Sequence, residues 1–87
     1  MSKRKKRIEK LRRGAEFTPE ELDTLLVNDL GCEGTQDGTS HKTYRHPDGR
    51  RITIPQHKPH IKRFYVRKVA QVFGPDLDAI AQGDDDE

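Results

Sequence analysis

The sequence predicts a small two-layer α+β domain, ordered helix, three antiparallel strands, helix, with a short basic helix in front. Three observations predict it. A capped helix start is written in FTPEE, residues 17–21. Extended, alternating segments between residues 32 and 55 are broken by the turn signals Asp37-Gly38 and Pro47-Asp48-Gly49. A second helical periodicity runs through KRFYVRKVAQVF, residues 62–73. With 87 residues the chain has room for one domain with a thin core, so any site must lie at its surface.

The leading run SKRKKRIEKLRR has apolar side chains only at Ile8 and Leu11. That i, i+3 pair gives a narrow stripe, which predicts a short, marginal helix ended by Gly14. In FTPEE, Thr18 caps, Pro19 fits the first turn where its missing N–H costs nothing, and Glu21 completes a capping box. Phe17 and Leu22 bracket the cap as a hydrophobic staple. This helix is expected to run to about Asp29, with Gly31 as its stop.

Residues 32–36 form the first strand candidate, 40–46 the second, and RITIP, residues 51–55, the third, with Ile52 and Ile54 on one face. In the last helix Tyr65, Val69, Val72 and Phe73 follow helical spacing, and Gly74-Pro75 is its expected end. The division is therefore a basic extension at 1–15, the domain proper at 16–75, and an acidic, disordered tail at 76–87. Both helices of the domain should cover one face of the sheet and leave the other to solvent.

Charge is strongly segregated behind a net value of +2. Residues 1–13 balance at +7 and residues 41–68 at +8, while the acids cluster at 16–37 and 76–87. Two basic blocks on so small a chain favour a polyanion, nucleic acid before membrane, over the plainer reading of solvated charge. The acidic tail could screen such a face in cis. No run reaches the ~18 apolar residues of a membrane span, and no apolar signal-peptide segment opens the chain. The cytoplasm is the expected compartment. A lone cysteine, Cys32, excludes an internal disulfide and reads as a small buried side chain.

The alternation of a strand divides the segment GTSHKTYRHPDGRR. If Tyr44 packs beneath the helices, then His41, Thr43 and Arg45 face outward, and Lys42 and His46 fall on the Tyr44 side at the rim. His46, beside the Pro47 turn, then reads as structural. A histidine on an open basic face suits phosphodiester chemistry, because a neutral imidazole can take the proton of an RNA 2′-OH while nearby cations hold the phosphate. No cofactor or metal is needed for that step. A plain surface histidine is the competing reading of the residue taken alone.

The run from Ser40 through His41, Tyr44, Arg45-His46-Pro47 and Ile52-Thr53-Ile54-Pro55 resembles the core signature of HicA toxins, the ribonucleases of HicA–HicB toxin–antitoxin pairs. The resemblance extends from about Phe17 to Phe73. It implies the fold of double-stranded-RNA-binding domains, metal-independent cleavage of mRNA, and neutralisation by a HicB-like antitoxin covering the active face. The family's catalytic histidine falls on His41. Thr39 stands where many members have glycine, and Lys42 where a second histidine is frequent.

The residues so implicated are His41 as general base or acid, Thr39 and Ser40 near the scissile phosphate, and Lys42, Arg45, Arg50 and Arg51 on the RNA backbone. A non-catalytic RNA-binding module of the same fold is the alternative. Tyr44 and Phe64 are the only aromatic candidates near the face, which argues against recognition by base stacking. A metal site drawn from His41, His46, His57 and His60 has no cysteine to support it and few acids near it.

Overall fold

The computed structural model describes residues 3–36, 40–56 and 58–83. The expectations placed on the Asp37-Gly38 turn, on Thr39 and His57, and on the final acids at 84–87 lie outside those residues. Four elements were expected on local grounds, and each is present. They are α2 (Pro19–Thr24), β2 (His41–Arg45), β3 (Arg51–Pro55) and the first half of α3 (Arg63–Gly83). A first strand, β1 (Glu33–Gln36), and an N-terminal helix, α1 (Lys3–Arg12), complete the fold.

The start of α2 is fixed as its sequence predicts. The Glu21 amide donates to Thr18 Oγ1 at 3.1 Å, and the Thr18 amide donates to Glu21 Oε1 at 2.9 Å. Phe17 and Leu22 are both buried beside the cap. The helix then widens into a π-helical turn, Leu25–Asp29, in which the Leu30 amide reaches back to the Leu25 carbonyl. Gly31, at φ +75°, turns the chain out of the helix and into β1. Cys32 is buried just before the strand, and burial pushes its thiol up to about 11, so it stays protonated and unreactive.

The sheet is antiparallel in the order β1-β2-β3. Tyr44 pairs with Ile52 and Lys42 with Ile54 across β2 and β3. Tyr44, Ile52 and Ile54 are buried and pack with Leu22, Leu25, Leu26, Val66, Val69 and Phe73 of the helices into one core. The Tyr44 hydroxyl donates to Asp23 Oδ1 at 2.8 Å, so the polar end of this buried ring has a partner. Burial first, and then the Asp23 bond, hold the phenol protonated.

Two expectations for the ends of the chain are corrected. The basic extension is the short helix expected, but it is not marginal. Ile8 and Leu11 are 1% and 2% exposed and belong to the common core. Arg7 forks onto Asp29 with two bonds of 2.8 Å, and the Asp29 side chain is only 2% exposed. Lys10 reaches Glu21 at 2.9 Å, and Arg12 pairs with Asp78. A two-residue stripe is too narrow to stabilise a helix alone, but here acids on three other segments hold its basic residues.

Nor does Gly74-Pro75 end α3. The helix continues through Pro75 to Gly83, burying Leu77 and Ala81. The physical reason is packing from a distance: Ile8, Leu11, Ala70, Gly74 and Leu77 line one surface between α1 and α3. Pro75 deletes the amide that would bond the Gln71 carbonyl. Next to that break, Arg50 Nη1 donates to the Val72 carbonyl at 2.8 Å. Tertiary contacts thus override a local stop signal. Among the described residues no helix is long and apolar enough to cross a membrane.

Candidate nucleic-acid interface

Pairing register and strand alternation together define the open face of the sheet. On β2 it carries His41, Thr43 and Arg45, and His41 and Arg45 are exposed. On β3 it carries Arg51 and Thr53, both exposed. In register, Thr43 faces Thr53 and Arg45 faces Arg51, while Glu33 and Thr35 of β1 lie beyond Arg45 and Thr43. The two threonine hydroxyls share a hydrogen bond of 3.0 Å. Glu33, Thr35, Thr43, Arg45 and Arg51 line a shallow depression of about 270 Å³.

Two arginines directly opposite one another on antiparallel strands repel, because their Cβ atoms are about 5 Å apart. An anion between them would relieve that repulsion, and one acid, Glu33 of β1, is paired in register with Arg45. His41 starts the same strand face, opposite Pro55 and roughly 13 Å from Arg45 by four strand steps. The imidazole and the two arginines therefore stand near opposite ends of one strand face. Ser40 is exposed next to His41, and its carbonyl accepts from the Gln56 amide, which ties the approach to β2 onto the end of β3.

Two of the basic residues proposed from sequence are not on this face. Lys42 turns to the Tyr44 side, as alternation requires, where its Nζ lies 2.6 Å from Asp23 Oδ1 and over the Tyr44 ring. Arg50 lies at the opposite end of the hairpin. Its guanidinium forks onto Asp76 at 2.8 and 2.9 Å and also reaches Asp48, over the face of Phe73. It therefore welds the β2–β3 turn to α3. His46 is in the same cluster, stacked on Phe73 at 5.5 Å and accepting the Asp48 amide at Nδ1. Its structural assignment agrees with these contacts.

His46, Asp48 and Asp76 form a cluster of metal-ligating type among the described residues, with ligand atoms within 4.8 Å of one another. A cation is already there: Arg50 bridges both carboxylates. His41 is five strand steps from His46, roughly 17 Å, so these two histidines do not share a site.

Hydrogen bonds from Arg50 hold both Asp48 and Asp76 below the ordinary carboxylate range, and those bonds push the guanidinium itself up. Because the folded values lie below the unfolded ones, this contribution to stability is present above the unfolded carboxylate range near ~4 and is lost as pH falls. Thermal unfolding followed from pH 7 to pH 2 should show a constant midpoint down to about pH 5 and a fall below it. Arg50→Gln should flatten part of that fall. An equal loss of stability in wild type and variant between pH 5 and pH 2 would remove the network from the acid response.

Sequence reasoning missed Asp23, which accepts from both Lys42 and Tyr44, and Thr53, which completes the open face. For Thr53 the signal was present, since Arg51-Ile52-Thr53-Ile54 alternates and Ile52 must point inward. For Asp23 it was not, because its partners lie about twenty residues away on another element.

A family model described as the HicA toxin of bacterial toxin-antitoxin matches residues 19–74. Comparison with curated proteins and with solved structures found no match. The matched segment covers more than half of the chain and contains α2, the whole sheet and α3 as far as Gly74. The chain belongs to the HicA toxin family, the toxins of toxin–antitoxin systems.

Proposed function

We propose that the protein is a cytoplasmic endoribonuclease that cleaves mRNA without a metal, with His41 as the catalytic residue, and that a HicB-like antitoxin neutralises it by covering the open face. The observation that carries this reading is the exposed His41 on the same strand face as the cross-strand pair Arg45 and Arg51. Neutral imidazole takes the proton of the 2′-OH, whose oxygen attacks the adjacent phosphorus in line. The 5′-oxygen leaves with a proton drawn from water, which the open face admits. A 2′,3′-cyclic phosphate and a 5′-hydroxyl result. Thr39 and Ser40 flank the reacting phosphate, while Arg45 and Arg51 fix neighbouring ones and so set the chain in register. Lys42 and Arg50 support the strand through Asp23 and Asp76 rather than through RNA.

Incubating the purified protein with RNA in EDTA should give fragments that end in cyclic phosphate and begin with 5′-hydroxyl. RNA carrying a 2′-deoxy residue at a cleaved position should resist at that position. Binding without cleavage under these conditions would establish instead a non-catalytic RNA-binding module.

A further inference from the structure

The basic residues of this chain fall into two physical classes. On α1, Arg4 and Arg7 meet Asp29, Lys10 meets Glu21, and Arg12 meets Asp78. Much of the N-terminal charge is thus neutralised within the fold. At the start of α3 the situation is reversed. Lys62, Arg63, Arg67 and Lys68 are all exposed, and no acidic partner meets them among the described residues. At 100° per residue, positions 63, 64, 67 and 68 fall within an arc of roughly 140°, opposite the buried stripe of Val66, Val69, Phe73 and Leu77. In the middle of that arc stands Phe64, 67% exposed and the one large apolar side chain so exposed among the described residues.

We infer that this outer face of α3 is a second RNA-contact surface, distinct from the open face of the sheet, that holds single-stranded RNA flanking the cleaved bond. The cations take the phosphates, and the Phe64 ring stacks on an unpaired base. Phe64 was discounted as a stacking platform when judged from sequence, but it is the aromatic that the fold leaves outside, while Tyr44 is 1% exposed. A protein partner fits the face less well. The core of a protein interface is apolar and depleted in charge, whereas this arc offers one apolar ring among three cations, Arg63, Arg67 and Lys68.

Position supports the same occupant. His41 pairs with Pro55, where β3 ends, and residues 56–62 lead from there directly into α3. Gln36, Lys42 and Gln56, at the His41 end of the sheet, line one depression with Pro19 and Glu20 of α2. Phe17, just ahead of α2, bridges to Ile61, just ahead of α3. The first turn of α3 therefore lies at the His41 end of the molecule, and an RNA strand leaving the imidazole reaches it around the β3 edge.

The assignment of the bound segment as a flank of the cleaved bond rests on the ribonuclease reading. The test does not. A fluorescein-labelled 2′-O-methyl oligouridylate of roughly twenty nucleotides, which cannot undergo 2′-OH attack, is titrated against the full chain across a salt series. Phe64→Ala should weaken binding about tenfold. Combining Arg63→Gln, Arg67→Gln and Lys68→Gln should reduce the slope of log affinity against log salt by about 2, at ~0.7 per lost phosphate contact. The control combination Arg4→Gln and Arg12→Gln should leave the slope unchanged.

Wild-type affinity and slope in the α3 variants would overturn the inference, as would an equal reduction in the α1 control. So would an α3 variant that keeps RNA affinity but loses a hexaglutamate peptide, which would give the face to an acidic protein. Binding that depends on α3 without any RNA cleavage by the wild type would fail the enzyme reading alone. Cleavage with binding indifferent to α3 would fail this inference alone.

Discussion

On the proposed ribonuclease reading, His41→Ala should abolish RNA cleavage and growth inhibition together, with the cleavage rate falling by ~10²- to 10⁴-fold, the range for removal of a general acid–base group. The expected change is in chemistry and not in folding. His41 is exposed, and the neighbouring alternate positions that anchor its strand are Tyr44 in the core and Lys42 on Asp23. Far-UV circular dichroism and the thermal midpoint should therefore match those of the wild type. RNA affinity should also survive, because Arg45 and Arg51, the pair proposed to hold phosphates, lie roughly 13 Å along the strand. Growth inhibition that persists in the variant would remove His41 as the catalyst and direct attention to the β3–α3 loop.

Ile8→Ala and Leu11→Ala each destabilise the protein by about 2–4 kcal/mol, the cost of truncating a fully buried aliphatic side chain. Small domains have about 5–15 kcal/mol in total, so the two changes together should leave much of the protein unfolded at room temperature. The effect exceeds what a mere basic arm would show. Beyond the lost burial, loosening α1 withdraws Arg7 from Asp29, leaving a carboxylate that is 2% exposed without its fork. Urea unfolding measured on each single variant checks this, and a loss under about 1 kcal/mol for both would mean that α1 is not integral to the core.

What was legible in the sequence was whatever chemistry acts over a few residues. The capping box at Thr18 and Glu21 and the alternation around Tyr44 are local statements, and the observed hydrogen bonds and burial agree with them. The position of His41 on the open face follows from the same alternation. Features that depend on partners far along the chain were not legible. Arg50 and Arg51 are adjacent in a basic turn and look equivalent, yet Arg51 is on the open face and Arg50 is tied to Asp76, twenty-six residues later. The Gly74-Pro75 stop failed for the same reason. It is a valid local signal, overcome by apolar side chains near the other end of the chain.

That pairing of α1 with the second half of α3 has a consequence for the order of events during synthesis. Ile8 and Leu11 are made well before the surface that covers them, which runs through Leu77. Arg12 and Asp78 are separated by sixty-six positions. Contacts of that span close late, because the whole intervening chain must be brought together first. A growing chain cut short before Leu77 lacks the side of its core that α1 rests on. For a toxin this means that incomplete translation products carry the His41 strand without the closed fold that holds it.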